Sequence, residues 1–425
     1  MLLGIKNDTG AGERVVIGYD LDDYNAQISY CPLGSYDAET VSSVMGNEIY
    51  DIPTVLCKRL EVNQWYYGRE ALRQAEAGTG TLVEGLFEKA RKGIPVVVED
   101  EEYDPVLLLS LFVKKSLSIL SAVVPLTKIA GVMFTTNTID EQTVKIFGTI
   151  VEGLSLKTKQ IYFQSHVESL FFYTIHQPKD IWTGQVLACE YEKDIMITHR
   201  LMFNQNTTPV VAFSETECFN NIEIGNKDRN FLNILHKNCD GRYVSSIQLI
   251  GNGYKEEWYK DSLKYMCVNR RVFAGNNLYS KGACYGILEK LSPSQLGREY
   301  IYLGKDKLKT NIGMEVLKRG QVAYLALLDA GVNWYEAKAE VEFIVEEGDE
   351  LNFRLSSLIG NKVYTETMIL EELPERKKGT NRVRLQMEMV SDKRAHIVVE
   401  DLGFGEFYSS TNLVWEKEIQ LDNQE

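Results

Sequence analysis

Residues Val15 to Tyr30, VVIGYDLDDYNAQISY, constrain this chain more than any other stretch. An apolar run enters Gly18-Tyr-Asp-Leu21, meets the acidic turn Asp22-Asp23-Tyr24 and leaves again as a second run, which predicts a β-hairpin. A related pattern returns in QVLACEYEKDIMITHRLMF, where a second tight acidic turn joins two strands. Between the two lie DPVLLLSLFVKKSLSIL, with Asp104 at the N-cap and Pro105 at the first helical position, and the strand KIAGVMFTT. Lys114 and Lys115 interrupt the first of these, so a buried helix is expected there. Next, Thr138 to Glu141 reads as a capping box opening a helix that Gly153 ends. A strand, KQIYFQ, and a helix, VESLFFYTIH, complete a βαβα order ahead of the second hairpin. The opening theme is thus repeated, as duplicated α/β lobes would repeat it.

The chain has 425 residues, 44% hydrophobic and 25% charged, enough for two or three domains with cores of their own. Forty-six basic residues against sixty acidic ones give a net charge of -14, which opposes nucleic-acid binding. The N-terminal apolar run is too short for a signal peptide, and no uninterrupted apolar run approaches eighteen residues, so no membrane is expected and the chain reads as cytoplasmic. The seven cysteines (Cys31, Cys57, Cys189, Cys218, Cys239, Cys267, Cys284) show neither zinc nor disulfide spacing and read as buried free thiols. The five histidines show no ligand spacing and read as structural. Trp65-Tyr66-Tyr67 reads as subdomain packing, and Glu375 to Lys378 as a solvated loop.

From about Leu291 the pattern becomes alternating strands: YIYLG, GQVAYLALL, AKAEVEFIVEEGDEL, NKVYTETMILEELP and NRVRLQMEMVSDKRAHIVVEDLG, which predict a β-sandwich. Expected domains are therefore 1–125 and 126–290 for the two α/β lobes and 291–425 for the sandwich.

The first hairpin resembles the phosphate loop of the actin, heat-shock and sugar-kinase ATPase superfamily, with Asp20 kept and the usual Gly and hydroxyls replaced by Asp22-Asp23-Tyr24. MFTTNTIDEQTVKIFGTIVEGLSLKTKQIYFQSHVESLFFY, then ACEYEKDIM, resembles the seventy-kilodalton heat-shock chaperones in order and spacing. SSIQLIGNGYKEEWYKDSLKYM resembles their adenosine-binding turn, NNLYSKGACYGIL their final helix, NEIYDIPTVLCKRLEVNQWYYGREALRQA an outer subdomain, and LFEKARKG their lysine segment. TETMILEELPERKKGTNRVRLQMEMVSDKRAHIVVED resembles their peptide-binding domain.

The resemblance implies a two-lobed actin-like fold followed by an all-β sandwich. It implies catalytic roles for Asp20, Glu190 and Lys89, ATP contacts from Gly18, Asp22, Asp23, Gly251, Asn252, Gly253 and Lys281, and a metal, Mg²⁺ or Ca²⁺, on Asp20 and Glu190. It also implies a protein or peptide partner on the sandwich. The second lobe's outer subdomain is short between His199 and Arg242, the linker ILEKLSPSQLGREY is polar, and the chain ends at Glu425 without a helical lid.

The departures weaken nucleotide binding. The family's acidic residue falls on Ser165, and its phosphate-loop glycines fall on Glu192, Lys193 and Asp194. A carboxylate about 4 Å from a phosphate charge costs roughly 4 kcal/mol at an effective dielectric near 20, about a thousandfold in affinity. Asp20, Asp22, Asp23 and Glu190 therefore read either as a cation-holding cluster or as solvated turns of a scaffold that has lost its nucleotide, the second being favoured. The function expected is a chaperone-like interaction protein, with a metal-dependent ATPase or a small-molecule kinase as alternatives.

Overall fold

In the computed structural model residues 14–421 are described, apart from 45, 155, 257 and 359–361. They divide into two compact units, Met1–Gly304 and Lys305–Glu425.

The first unit begins with β1 (Val15–Leu21) and β2 (Asn25–Pro32), followed by short β3 (Glu39–Thr40) and β4 (Ile52–Pro53). A three-stranded sheet follows, from β5 (Leu56–Arg59), β6 (Trp65–Tyr67) and, after α1 (Gly68–Glu76), β7 (Gly80–Val83). Tyr66 packs on its small core and Trp65 meets Tyr103 edge to face, so these aromatics fill the subdomain. The chain continues through α2 (Leu86–Lys92), the hairpin β8 (Val96–Val98) and β9 (Glu101–Tyr103), α3 (Pro105–Leu117), β10 (Ile129–Thr136), α4 (Glu141–Gly153), β11 (Ile161–Ser165) and α5 (His166–Ile175).

The Asp104 side chain accepts from the Val106 and Leu107 amides at the start of α3, as the sequence predicts. The stretch Pro105–Ala122 is long and apolar enough by composition to cross a membrane, yet half of it is buried inside the protein, where Leu108, Leu109, Phe112 and Val113 join the core. The cap of α4 is Asp140, whose Oδ1 accepts from the Thr143 amide at 2.8 Å, rather than Thr138. Gly153 is the last residue of that helix, not a left-handed cap beyond it.

The second half holds β12 (Gln185–Glu192), β13 (Ile195–Asn204), β14 (Val210–Asn220), α6 (Lys227–Cys239), β15 (Val244–Ile250), α7 (Lys260–Met266), β16 (Arg271–Ala274), α8 (Leu278–Leu291), α9 (Gln295–Glu299) and β17 (Tyr300–Tyr302). Its sheet runs β16-β15-β12-β13-β14-β17, and the first sheet runs β11-β10-β1-β2-β3. In both, an antiparallel hairpin leads into a third antiparallel strand, and on the other side of the hairpin's first strand the sheet continues through two successive parallel strands. The sequence repeat is therefore a repeat of topology.

β17 pairs in parallel with β14. The YIYLG strand expected in the C-terminal sandwich thus closes the edge of the α/β unit instead, and the boundary falls after Gly304.

Helices α5 and α8 exchange places between the halves. α5 packs Val167, Leu170 and Phe171 on the second sheet, whereas α8 packs Ala283, Cys284 and Ile287 on the first. Their starts consequently meet where the two hairpin turns face each other.

The second unit contains two four-stranded antiparallel sheets, β19-β18-β21-β22 and β20-β23-β24-β25, built from β18 (Thr310–Lys318), β19 (Gln321–Leu328), β20 (Lys338–Val345), β21 (Glu350–Ser357), β22 (Val363–Ile369), β23 (Asn381–Ser391), β24 (Arg394–Asp401) and β25 (Val414–Gln420). Alternate residues such as Leu351, Phe353 and Leu355 on β21, and Val383, Leu385 and Met387 on β23, supply its core. The Glu375–Lys378 segment is not simply solvated. Arg376 forms a buried two-pronged pair with Asp401, both bonds 2.7 Å.

All seven cysteines are free, and Cys218 and Cys267 are exposed rather than buried.

Candidate functional site

A narrow cleft of about 30 Å³ lies between the hairpin turns and the starts of α5 and α8, with Asp20, Asp22, Glu190, Glu192, His166 and Tyr279 among its walls. That volume holds a water or two. A neighbouring pocket of about 210 Å³ shares Asp22, His166, Glu190 and Glu192 and adds Asp23, Tyr24, Phe87, Arg91 and Ile197.

The first hairpin turn satisfies itself. Asp22 Oδ1 accepts from the Tyr24 and Asn25 amides, each at 2.6 Å, so a side-chain carboxylate sits on the backbone donors that a bound anion would need. The second hairpin does the same across a gap. Glu192 Oε1 accepts from the Asn252 amide at 2.7 Å and from its Nδ2 at 3.1 Å, and Asn276 Oδ1 accepts from the Gly251 amide. Over the mouth, Lys193 Nζ lies 3.9 Å from the Tyr24 ring centre, joining the two turns.

On the floor, His166 Nε2 donates to Asp20 Oδ1 at 2.7 Å, while its Nδ1 lies 4.0 Å from Glu190 Oε2. Tyr279 stacks on His166 at 4.0 Å between ring centres and donates its hydroxyl to Glu190 at 3.0 Å. His199 approaches the same Glu190 oxygen at 4.0 Å and bonds Thr216 with its other nitrogen at 2.9 Å. Among the described residues, no group of three or more His, Cys, Asp or Glu side chains is close enough to hold a metal ion. The His166 ring stands between Asp20 and Glu190, the two carboxylates to which the resemblance gave a shared metal.

Burial first, and the Asp20 charge second, push Asp22 up to about 7. Burial likewise raises Glu190 and Glu192, with His166 opposing it at Glu190 and the Asn252 amide at Glu192. For His166, burial favours the neutral ring, but the Asp20 charge and hydrogen bond, with Glu190 and Asp22 behind, hold it above its usual value. Burial and the His166 charge push His199 down to about 3. At pH 6.5 His166 is therefore expected as imidazolium and His199 as neutral imidazole, which ¹⁵N NMR of the two rings measures. A protonated His199 at that pH would refute the assignment.

The raised His166 value carries a sign for stability: the stabilisation is complete below the ring's ordinary range near 6.5 and is lost as the pH rises through the folded value.

Of the residues expected at a nucleotide site, Asp20, Asp22, Glu190, Gly251 and Asn252 line the cleft, and Asp23 lines its neighbour. Gly18 lines neither pocket and is set by packing: a Cβ there would lie 2.0 Å from the Ser280 carbonyl oxygen of α8. Gly253 makes room for the Tyr191 ring, which a Cβ would meet at 1.9 Å. Lys89 donates Nζ to the Glu84 carbonyl at 2.6 Å, and the basic residue of α2 that reaches the neighbouring pocket is Arg91, paired with Asp140. Lys281 follows Ser280 on α8 and is not among the residues lining either pocket. His166, His199 and Tyr279 escaped the sequence reading because 33 residues separate the histidines, and no motif spacing joins them to Asp20.

The C-terminal model of the DUF5716 family, a family of unknown function, matches residues 37–305. The chain belongs to the DUF5716 family. A second model, DUF8552, a domain of unknown function, matches residues 307–421, so the two matches part where the compact units do. No curated protein matches the chain. The DUF5716 match includes Glu190, Glu192 and the starts of α5 and α8, while the Asp20–Asp22 hairpin precedes it.

Proposed function

We propose that the first unit is a two-lobed actin-like ATPase fold of the seventy-kilodalton heat-shock branch whose cleft no longer hydrolyses ATP, and that the protein is a cytoplasmic, chaperone-like interaction protein. The observation that carries this reading is the pair of carboxylates, Asp22 and Glu192, seated on the turn amides that would otherwise receive phosphates. Backbone amides at such turns attract anions, and an internal anion removes that capacity. The repeated sheet topology and the exchanged helices α5 and α8 support the fold assignment. Free thiols suit a reducing compartment.

Interaction is assigned to the second unit. There a groove of about 1020 Å³ is lined by Met314, Val316 and Phe343 together with Glu342, Glu346 and Glu350. Its mixed apolar and mainly acidic lining, in which Arg354 and Arg382 are the basic members, suits an extended peptide with apolar and basic residues.

Calorimetric titration of ATP into the full chain, with and without Mg²⁺, tests the cleft. No binding heat is expected in either condition. Micromolar, Mg²⁺-dependent binding would overturn the reading in favour of an active ATPase using Asp20 and Glu190. Replacing both carboxylates, Asp22→Gly with Glu192→Gly, is expected to uncover the amides and introduce measurable binding of inorganic phosphate or ATP.

A further inference from the structure

The small cleft has an excess of hydrogen-bond acceptors whose orientation is fixed by chemistry. Gln27 is 5% exposed, and its Nε2 donates to Asp51 Oδ1 at 2.7 Å; Asn252 Nδ2 donates to Glu192 Oε1 at 3.1 Å. An ionised carboxylate only accepts, so each amide must present its nitrogen there and its oxygen elsewhere. Those oxygens, Gln27 Oε1 and Asn252 Oδ1, are buried in the residues lining the cleft and have no hydrogen-bond partner among the described residues. A buried acceptor left unmade costs about 1–3 kcal/mol, and here the cost recurs in one cavity. Asp20, Asp22, Glu190 and Glu192 line the same space, and His166 is the sole cation-forming side chain among the described residues of its walls. The cavity therefore asks for a guest that donates several hydrogen bonds and carries positive charge.

We propose that the cleft is a receptor for a primary ammonium group carried on an apolar body. An ammonium offers three donors from one atom, which suits a cavity of about 30 Å³. A divalent metal suits it less, since Mg²⁺ demands near-octahedral oxygens at about 2.0–2.1 Å and the described residues hold no metal-sized group of three His, Cys, Asp or Glu. The adjoining pocket of about 210 Å³ supplies the place for the body: Tyr24, Phe87, Ile195 and Ile197 line it beside the shared carboxylates. Charge and apolar surface thus sit side by side, as they do in an alkyl or arylalkyl amine. Burial and the Asp20 charge bring Asp22 to about 7, so the acidic wall is fuller of charge at pH 8.

The test is calorimetric titration of the full chain at pH 8 with benzylamine, with benzyl alcohol as its uncharged counterpart, and with MgCl₂ and CaCl₂. Saturable benzylamine binding at least tenfold tighter than that of benzyl alcohol is expected. A further loss of at least tenfold is expected in Gln27→Leu, whose thermal melting is measured alongside to show that it folds. Lys264→Ala, on the exposed surface of α7 and outside both pockets, is expected to bind as the unsubstituted chain does.

Three results overturn the proposal: no saturable heat from benzylamine at concentrations on the order of 10 mM, equal binding of amine and alcohol, or Mg²⁺ or Ca²⁺ binding tighter than the amine. The comparison of amine with alcohol needs no variant, so it decides between the outcomes even where Gln27→Leu misfolds. The ammonium receptor occupies the same cleft as the proposed function, yet the two fail separately. ATP binding sinks that reading, whereas amine silence with ATP silence sinks this one alone.

Discussion

Asp401→Ala is expected to destabilise the Lys305–Glu425 unit by about 3–5 kcal/mol, the usual loss when one partner of a buried ion pair is removed. Asp401 is fully buried and accepts from both terminal nitrogens of Arg376, from the Gly403 and Thr411 amides and from the Thr411 hydroxyl. Removing it strands the Arg376 guanidinium, 4% exposed, with Ser409 and the Tyr408 face as its remaining partners. A loss of that size is a large part of the roughly 5–15 kcal/mol that holds a domain together. Urea unfolding followed by circular dichroism measures it, and a loss below about 1 kcal/mol, the range of exposed pairs, would show that the pair is solvated after all.

The same pair sets an acid limit. Burial opposes the Asp401 charge, but Arg376 and Thr411 outweigh it and hold the carboxyl far below its usual value. With the folded value depressed, the stabilisation is present above the unfolded carboxylate's range near 3.9 and declines as the pH falls below it toward the folded value. The Asp401 contribution should thus be flat from neutral pH to about 5 and fall below about 4.

Gly18→Val is expected to cost about 3 kcal/mol or more, at the upper end of overpacking penalties. The atoms that a Cβ would strike are the Ser280 carbonyl oxygen and the Cys284 amide nitrogen, so no side-chain rotation can relieve the clash and α8 must lift off β1. The melting temperature should fall by roughly 6 °C or more. This variant also separates packing from ligand binding: a glycine kept for phosphate approach would leave melting unchanged when replaced. An unaltered melt would therefore refute the close approach of α8 to β1.

Much of the fold is legible along the chain. The hairpin of Val15–Tyr30, the Asp104-Pro105 start of α3 and the alternating strand run of the last hundred residues are local patterns, and local hydrogen bonding and side-chain alternation decide them. The YIYLG segment misled because a strand pattern does not name its partner; β14 claimed it through a free edge that only the assembled sheet reveals. Arg376 misled for a similar reason, since a charged run is solvated unless a distant carboxylate is brought beneath it.

The candidate site divides along the same line. By itself the sequence determined that both hairpin turns are acidic and that Asp20 and Glu190 lie near the ends of apolar strands, because these are properties of residue identity and local order. The tertiary structure alone decided what those acids do. The exchange of α5 and α8 carries His166 onto Asp20 and Tyr279 onto Glu190, and the meeting of the two halves sets Glu192 on the Asn252 amide. Such contacts join residues 60 to 146 positions apart, and no local propensity encodes them. They follow from which apolar faces must be buried against each other, and that is settled only when both sheets are in place.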